Sequence, residues 1–292
     1  MTTSIKGLRR LASSYFPKGE AWAQVACCRV DFVHGGDEDL ETPKAKKYMS
    51  EELQPLFVDN HLIVFNKPAG MPVVPDASRD VSLFDLAKTW IKAEFNKPGA
   101  VFLGVVHRLD RPVSGVVLFA RTSKAAMRLT KAFQARTAKK LYVAVGAGLV
   151  NELEDHGEVH QWIMKSTTHN RVRTFLIPPS AHNLRPGEKP KEALTEWRIV
   201  QLTTFDGAPA TRFELQPLTG RSHQLRVACA TLGTPLVGDV KYAPHGARPL
   251  PDKSIALHAK RLTIMHPTLK EELTFEAPLP ETAWWLDWPD GV

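Results

Sequence analysis

The sequence predicts an α+β fold on three observations. Strand-like runs outnumber helical ones, the two kinds follow each other in mixed order rather than in regular β-α alternation, and no internal repeat is present. With 292 residues, 43% of them hydrophobic, the chain can fill a core without disulfide staples.

Residues 1–50 have a broken pattern. The run Gly35-Gly36-Asp37-Glu38-Asp39 and the stretch from Thr42 to Lys47 read as a linker, so a main domain is expected over 51–292. Leu11 to Val33 fits either a degenerate S4-like RNA-binding segment or a helical extension. Next come two strands, Leu56–Val58 and Leu62–Phe65, the second ended by Pro68 and Gly70. Leu83, Leu86, Trp90 and Ile91 recur at helical spacing behind Ser82, a candidate cap. Val116–Ala120 reads as a continuous strand. Ser123 then opens a helix expected to bury Ala126, Leu129 and Phe133. In the strand Leu141–Val145, alternation sends Leu141, Val143 and Val145 to one face, Tyr142 and Ala144 to the other.

Asn151–Lys191 reads as loops and short strands with a basic face, carrying Lys165, His169, Arg171, Arg173, Arg185, Lys189 and Lys191. Strand patterning returns at Thr195–Val200 and Arg212–Leu215. Leu225, Cys229 and Leu232 mark a helix stopped by Gly233, with Ser222 as its expected cap. Leu262 with Ile264, and Leu273 with Phe275, predict a closing hairpin.

A formal charge of +7 favours a polyanionic partner, because Lys and Arg neutralise phosphates with release of counterions. Cys27, Cys28 and Cys229 make neither a disulfide framework nor a CxxC pair, which suits a reducing, cytoplasmic compartment. No apolar run reaches the ~18 residues that cross a bilayer, and the start lacks a signal-peptide core; a soluble monomer is expected. Arg9, Arg10 and Lys18 hint at a transit peptide, against which Glu20 counts. HExxH, Walker, GxGxxG and GxSxG patterns are absent, so zinc peptidase, phosphate-loop, dinucleotide and α/β-hydrolase readings lack their hallmarks.

The most informative stretch is Gly104 to Leu118, where His107-Arg108-Leu109-Asp110 precedes a Pro- and Gly-shaped turn and an apolar strand. By itself this is either a structural Arg-Asp pair or a functional carboxylate at the end of a core element. Two later segments, Lys140-Leu141-Tyr142-Val143-Ala144-Val145-Gly146 and Leu218-Thr219-Gly220-Arg221-Ser222-His223-Gln224-Leu225-Arg226 continuing to Gly238-Asp239, join it. Together they closely resemble the RluA family of RNA pseudouridine synthases. Lys67-Pro68-Ala69-Gly70 is similar to that family's opening turn, and Leu257–Leu262 with Met265-His266-Pro267 to its closing hairpin. The resemblance runs from about Leu53 to Pro280, with Val113 standing where the family usually has Thr.

The resemblance implies a mixed, mainly antiparallel central sheet flanked by helices and loops, a structured RNA substrate (ribosomal or transfer), and no cofactor and no metal. It implies that Asp110 is the nucleophile that isomerises uridine, attacking either C1′ of the sugar or C6 of the base. An ionised, partly dry carboxylate needs a fixed cation, and the resemblance assigns that role to Arg226. It implies that Tyr142 stacks on the target uracil and assists proton removal from C5, and that Arg108 fills the gap left by the flipped nucleotide. Arg221 and His223 either contact the RNA backbone or fix their loop. Two other readings are weighed: an RNA-binding protein that kept the scaffold and lost catalysis, and a carboxylate hydrolase, which needs a second acid opposite Asp110. Asp239 reads as structural.

Overall fold

A single long sheet organises the residues that the computed structural model describes, 53–285, 288 and 289, apart from 151–154, 167–169, 185–186 and 246. The segment before Leu53, with its S4-like reading, its linker, the domain boundary at 50/51 and the Cys27-Cys28 pair, lies outside them. So do His169 and Arg185.

The elements run β1 (Pro55–Val58), β2 (Leu62–Lys67), α1 (Leu83–Glu94), β3 (Gly104–Val105), β4 (Ser114–Ala120), α2 (Ser123–Gln134), β5 (Lys139–Ala147), β6 (His156–Lys165), β7 (Val172–Phe175), β8 (Lys191–Phe205), β9 (Ala208–Pro217), α3 (Gln224–Thr231), β10 (Leu257–Met265) and β11 (Glu272–Glu276). The sheet order is β1-β2-β4-β10-β5-β9-β8-β6-β7, with β11 also on β10 and β3 on β4. Among these pairings only β4 with β10 is parallel. The architecture is α+β with a mixed, mainly antiparallel sheet.

That parallel junction depends on one residue. Gly115 has φ +115°, and a Cβ there would run into the Ala259 backbone of β10. A glycine is the residue that lets these two strands meet. Beside it, Ser114 Oγ lies 2.8 Å from His258 Nδ1, both buried.

β4 is buried along its whole length, which explains its unbroken apolar run. On β5 the alternation separates Val143 and Val145 from Tyr142 and Ala144 as read from the sequence, but both faces are covered: the first pair packs with Val237 and Trp285, the second with the main core around Phe213, Leu215 and Leu225. The main core also holds Leu109 and Val113, so the apolar side chain that replaces a threonine packs inward.

Three local expectations are corrected. Helix α2 opens at Ser123 as expected, capped by the Thr122 hydroxyl, which accepts from Ala125 N, but beside Leu129 it buries Ala125, with Ala126 and Phe133 only partly covered. Helix α3 has no side-chain cap: Ser222 is exposed, and His223 occupies the cap position in the left-handed conformation. The stretch expected as loops and short strands contains the ten-residue β6, which buries Val159 and Gln161 against the inside while Glu158 and His160 face out. Lys165, Arg171, Arg173, Lys189 and Lys191 are exposed. By contrast, Ser82 caps α1 as expected, accepting from Asp85 N at 3.2 Å.

Candidate active site

Asp110 sits where the chain turns from an outer loop into β4. Val113 N donates to Asp110 O (3.1 Å), closing a turn with Arg111 and Pro112 at its corners. Around this turn each residue has a separate destination. His107 Nε2 accepts from Leu118 N at 2.9 Å and its ring stacks on Phe133 at 4.9 Å, so the imidazole is neutral; burial, helped by the Lys140 charge, lowers its pKa to about 3. Leu109 anchors the loop in the core, and Arg108 projects into solvent. The Asp110 side chain is left 28% exposed, open to a ligand.

Two further groups pin the loop. Arg111 donates through Nε to Gly70 O (2.9 Å) and through Nη1 to Ser78 Oγ (2.9 Å), and pairs with Asp80. Beneath it Lys67, fully buried, reaches Pro68 O and Met71 O at 2.9 Å and Arg111 O at 3.2 Å. Three acceptors match the three N–H bonds of an ammonium. Burial nevertheless lowers the Lys67 pKa to about 7, with Asp110 opposing the shift and Arg111 adding to it.

Arg226 approaches from α3. Its Nη1 is 3.3 Å from Asp110 Oδ2, while Nε and Nη2 make a bidentate pair with Asp239 at 2.6 and 2.7 Å. Burial works against the Arg226 charge, but Asp239 and then Asp110 hold its pKa above the ordinary value. Asp239 is in place because Gly238, at φ +82°, makes a turn in which a Cβ would clash with Leu250 and the Ser254 carbonyl. Asp239 is therefore spent on Arg226 and does not serve as the second acid of a hydrolase.

The Thr219–Gln224 loop is locked onto β8 by a side chain rather than by a serine cap. Gln224 Oε1 accepts from Thr219 Oγ1 (2.7 Å) and Arg221 N (3.0 Å), and its Nε2 donates to Leu194 O and Thr195 Oγ1 at 2.9 Å. The Arg221 guanidinium donates to Glu192 O at 2.8 Å. His223 Nε2 lies 3.9 Å from Asp110 Oδ2. Tyr142 is partly buried on β5, and burial followed by the Asp110 charge raises its hydroxyl pKa.

The fold thus gathers Asp110, Arg226, His223 and Tyr142 around one carboxylate, and leaves Arg108 on the exposed rim and Arg221 tied to β8. Sequence reasoning missed Asp239 as the anchor of Arg226. It also missed Lys67 and Tyr242, whose charge and hydroxyl feel Asp110. The signals were present: Lys67 in the KPAG turn, Asp239 and Tyr242 three residues apart after Gly238.

The family described as RNA pseudouridylate synthase matches residues 61–231, more than half of the chain. This chain belongs to the RluA family of RNA pseudouridine synthases. The dual-specificity RNA pseudouridine synthase RluA of Escherichia coli (strain K12) is 35% identical over 228 residues, 76% of this chain and 91% of that protein. The protein of the same description from Pasteurella multocida is 35% identical over 220 residues, 75% and 90% of the two chains. Among solved structures, human RNA pseudouridylate synthase domain containing 1 superposes with a TM-score of 0.61 at 26% identity, over 79% of this chain and 84% of its own. Membership in this RluA family makes the chain an isomerase acting on uridine in RNA. Among the described residues no helix is long and apolar enough to cross a membrane.

Proposed function

We propose that this pseudouridine synthase modifies specific uridines of structured ribosomal or transfer RNA with Asp110 as nucleophile. The observation that carries the reading is the Asp110–Arg226–Asp239 arrangement: a partly exposed carboxylate whose cation is buried and clamped from behind. Such a cation holds one oxygen of the Asp110 carboxylate through a charge-assisted contact and leaves the other toward the open side of the site. Attack at C1′ or at C6 detaches the base, which rejoins the sugar through C5; both routes use the same carboxylate. The reacting atoms are inaccessible inside a base stack, so the nucleotide is flipped out first. Arg108, exposed on the rim, is placed to occupy the vacated position.

Tyr142 supplies a face for the uracil. Its hydroxyl stays protonated in the resting site, since burial and the Asp110 charge both raise its pKa. Forming the C5–C1′ bond releases Asp110 in the C1′ route and precedes its elimination from C6 in the other; by either route C5 then carries a surplus proton, which Tyr142 removes or relays as the ring regains its C5–C6 double bond.

The exposed Lys and Arg side chains between Lys165 and Lys191 fit the RNA backbone, and relatives described as dual-specificity support more than one RNA substrate. The protein acts as a cytoplasmic monomer, with residues 51–292 as its catalytic domain and 1–50 as an extension that adds RNA affinity. The deciding experiment is Asp110→Asn, which keeps size and removes the nucleophile: pseudouridine formation in ribosomal and transfer RNA disappears while RNA affinity persists. Turnover by the purified variant near the wild-type rate removes Asp110 from the mechanism.

A further inference from the structure

Behind Asp110 lies a histidine in an unusual setting. His223 is only 9% exposed, has φ +55°, and begins α3 without making a side-chain cap. A non-glycine residue in the left-handed region costs roughly 1–2 kcal/mol, and such strain persists where the surroundings hold it. What the conformation achieves is an imidazole set between two oxygens. Nδ1 is 2.5 Å from Tyr242 Oη, and Nε2 is 3.9 Å from Asp110 Oδ2.

The surroundings of the tyrosine favour one direction for the first hydrogen bond. Tyr242 Oη accepts the N–H of Val172 at 3.0 Å, and its ring lies under the Arg226 guanidinium at 5.1 Å, which fixes the phenol. It has one proton to donate, and Nδ1 is the acceptor that the described residues offer. With Nδ1 accepting, a neutral His223 carries its proton on Nε2, the nitrogen facing Asp110. Burial lowers the His223 pKa; Asp110 opposes that, Arg226 and Lys241 add to it, and Asp239 opposes, so the ring is neutral at pH 7.

We propose that His223 is a positioning residue for Asp110, presenting a permanent Nε2–H to carboxylate oxygen Oδ2, and that Tyr242 fixes the tautomer that makes this possible. The inference rests on the reading of Asp110 as nucleophile. Its consequence is a division of labour within one carboxylate: Arg226 and His223 both address Oδ2, leaving Oδ1 to attack. The 3.9 Å gap closes to a hydrogen bond when substrate fills the cleft, as active-site contacts in ligand-free enzymes commonly tighten.

Histidine-selective ¹⁵N NMR of the full chain, with the His223 signals assigned by their loss in His223→Asn, tests the tautomer directly. The expected spectrum at pH 7 has a protonated Nε2 and an unprotonated Nδ1 at His223, and Tyr242→Phe gives a mixture of tautomers. A protonated Nδ1 in the wild type, or an unchanged single tautomer in Tyr242→Phe, overturns the assignment.

Kinetics separate positioning from scaffolding. Asn tolerates the left-handed backbone but its amide ends at the Nδ1 position, so His223→Asn lowers kcat about tenfold or more with little change in KM, and His223→Gln, which reaches toward Oδ2, recovers part of the loss. Wild-type kcat in His223→Asn, or a change confined to KM, counts against the role. Should the variants not fold, the wild-type tautomer still decides. The NMR outcome does not depend on Asp110 chemistry, so failure of this proposal is distinguishable from activity surviving in Asp110→Asn.

Discussion

Asp239 grips Arg226 side-on, through Nε at 2.6 Å and Nη2 at 2.7 Å, and this grip aims the remaining Nη1 at Asp110. Asp239→Asn keeps one hydrogen bond and loses the charge that balances the guanidinium. Arg226 is then expected to shift toward Asp110, its remaining carboxylate partner among the described residues, and kcat to fall about tenfold, the effect of ~1.4 kcal/mol at the transition state. Asp239→Ala leaves a buried cation half-paired and is expected to cost about 3–5 kcal/mol of stability. Single-turnover rates together with urea unfolding of both variants check the pair of outcomes.

Tyr142 separates into ring and hydroxyl. Tyr142→Phe is expected to bind RNA like wild type and turn over slowly, whereas Tyr142→Ala also weakens binding, stacking being worth about 1–3 kcal/mol per base. Equal turnover by the Phe variant confines Tyr142 to stacking. Fluorescence titration with a short stem-loop, beside the pseudouridine yield, reads both quantities.

RNA affinity should fall steeply with salt. Each phosphate contact contributes about −0.7 to −0.9 to the log-log slope, so several contacts give a slope of a few units. The exposed Lys165 and Lys191 are suitable probes: replacing either with Ala is expected to flatten the slope by about one unit and to weaken all RNA sequences alike. A flat dependence in the wild type points to a small-molecule substrate.

Acid stability depends on buried neutral histidines. Burial lowers the pKa of His258, between Ser114 Oγ and Ala277 O, to about 4, and that of His107 to about 3. The unfolded chain takes up these protons near pH 6.5 and the folded chain refuses them until pH 3–4, so the unfolded state binds more protons in that window. Stability therefore falls as pH drops from 6.5 toward 4, with His258 contributing roughly 3 kcal/mol of the loss by the low end. His258→Gln removes the titration, and its unfolding free energy should change less between pH 7 and 4 than that of the wild type.

Much of this was legible from residues alone where the cause is local. Helix spacing and the Ser82 cap place α1, Gly233 stops α3, and the alternation in β5 sorts Tyr142 from its neighbours. What escaped depends on partners distant in sequence. β6 looks irregular by itself and becomes a strand because it pairs with β8, some thirty-five residues on. Asp239 reads as turn residue until Arg226 is placed against it, and His223 reads as loop or RNA contact until Tyr242 appears on its other side. The cap of α3 was misread because Gln224, expected as an ordinary helix residue, folds back and satisfies the loop that Ser222 was to serve.

The Gly115–Ala259 junction makes the site a late event in the life of the polypeptide. Asp110, Tyr142 and Arg226 have all been synthesised by the middle of α3, yet β4, already paired with β2, lacks its second neighbour until β10 emerges: Ser114 meets His258 across 144 residues, and Ile255 N reaches back to Pro112 O, two residues beyond Asp110. A nascent chain halted before Leu257 carries each of these side chains without the strand that seats them. Closing so wide a loop is slow compared with local helix formation, so the site is seated only after β10 has been made and has docked.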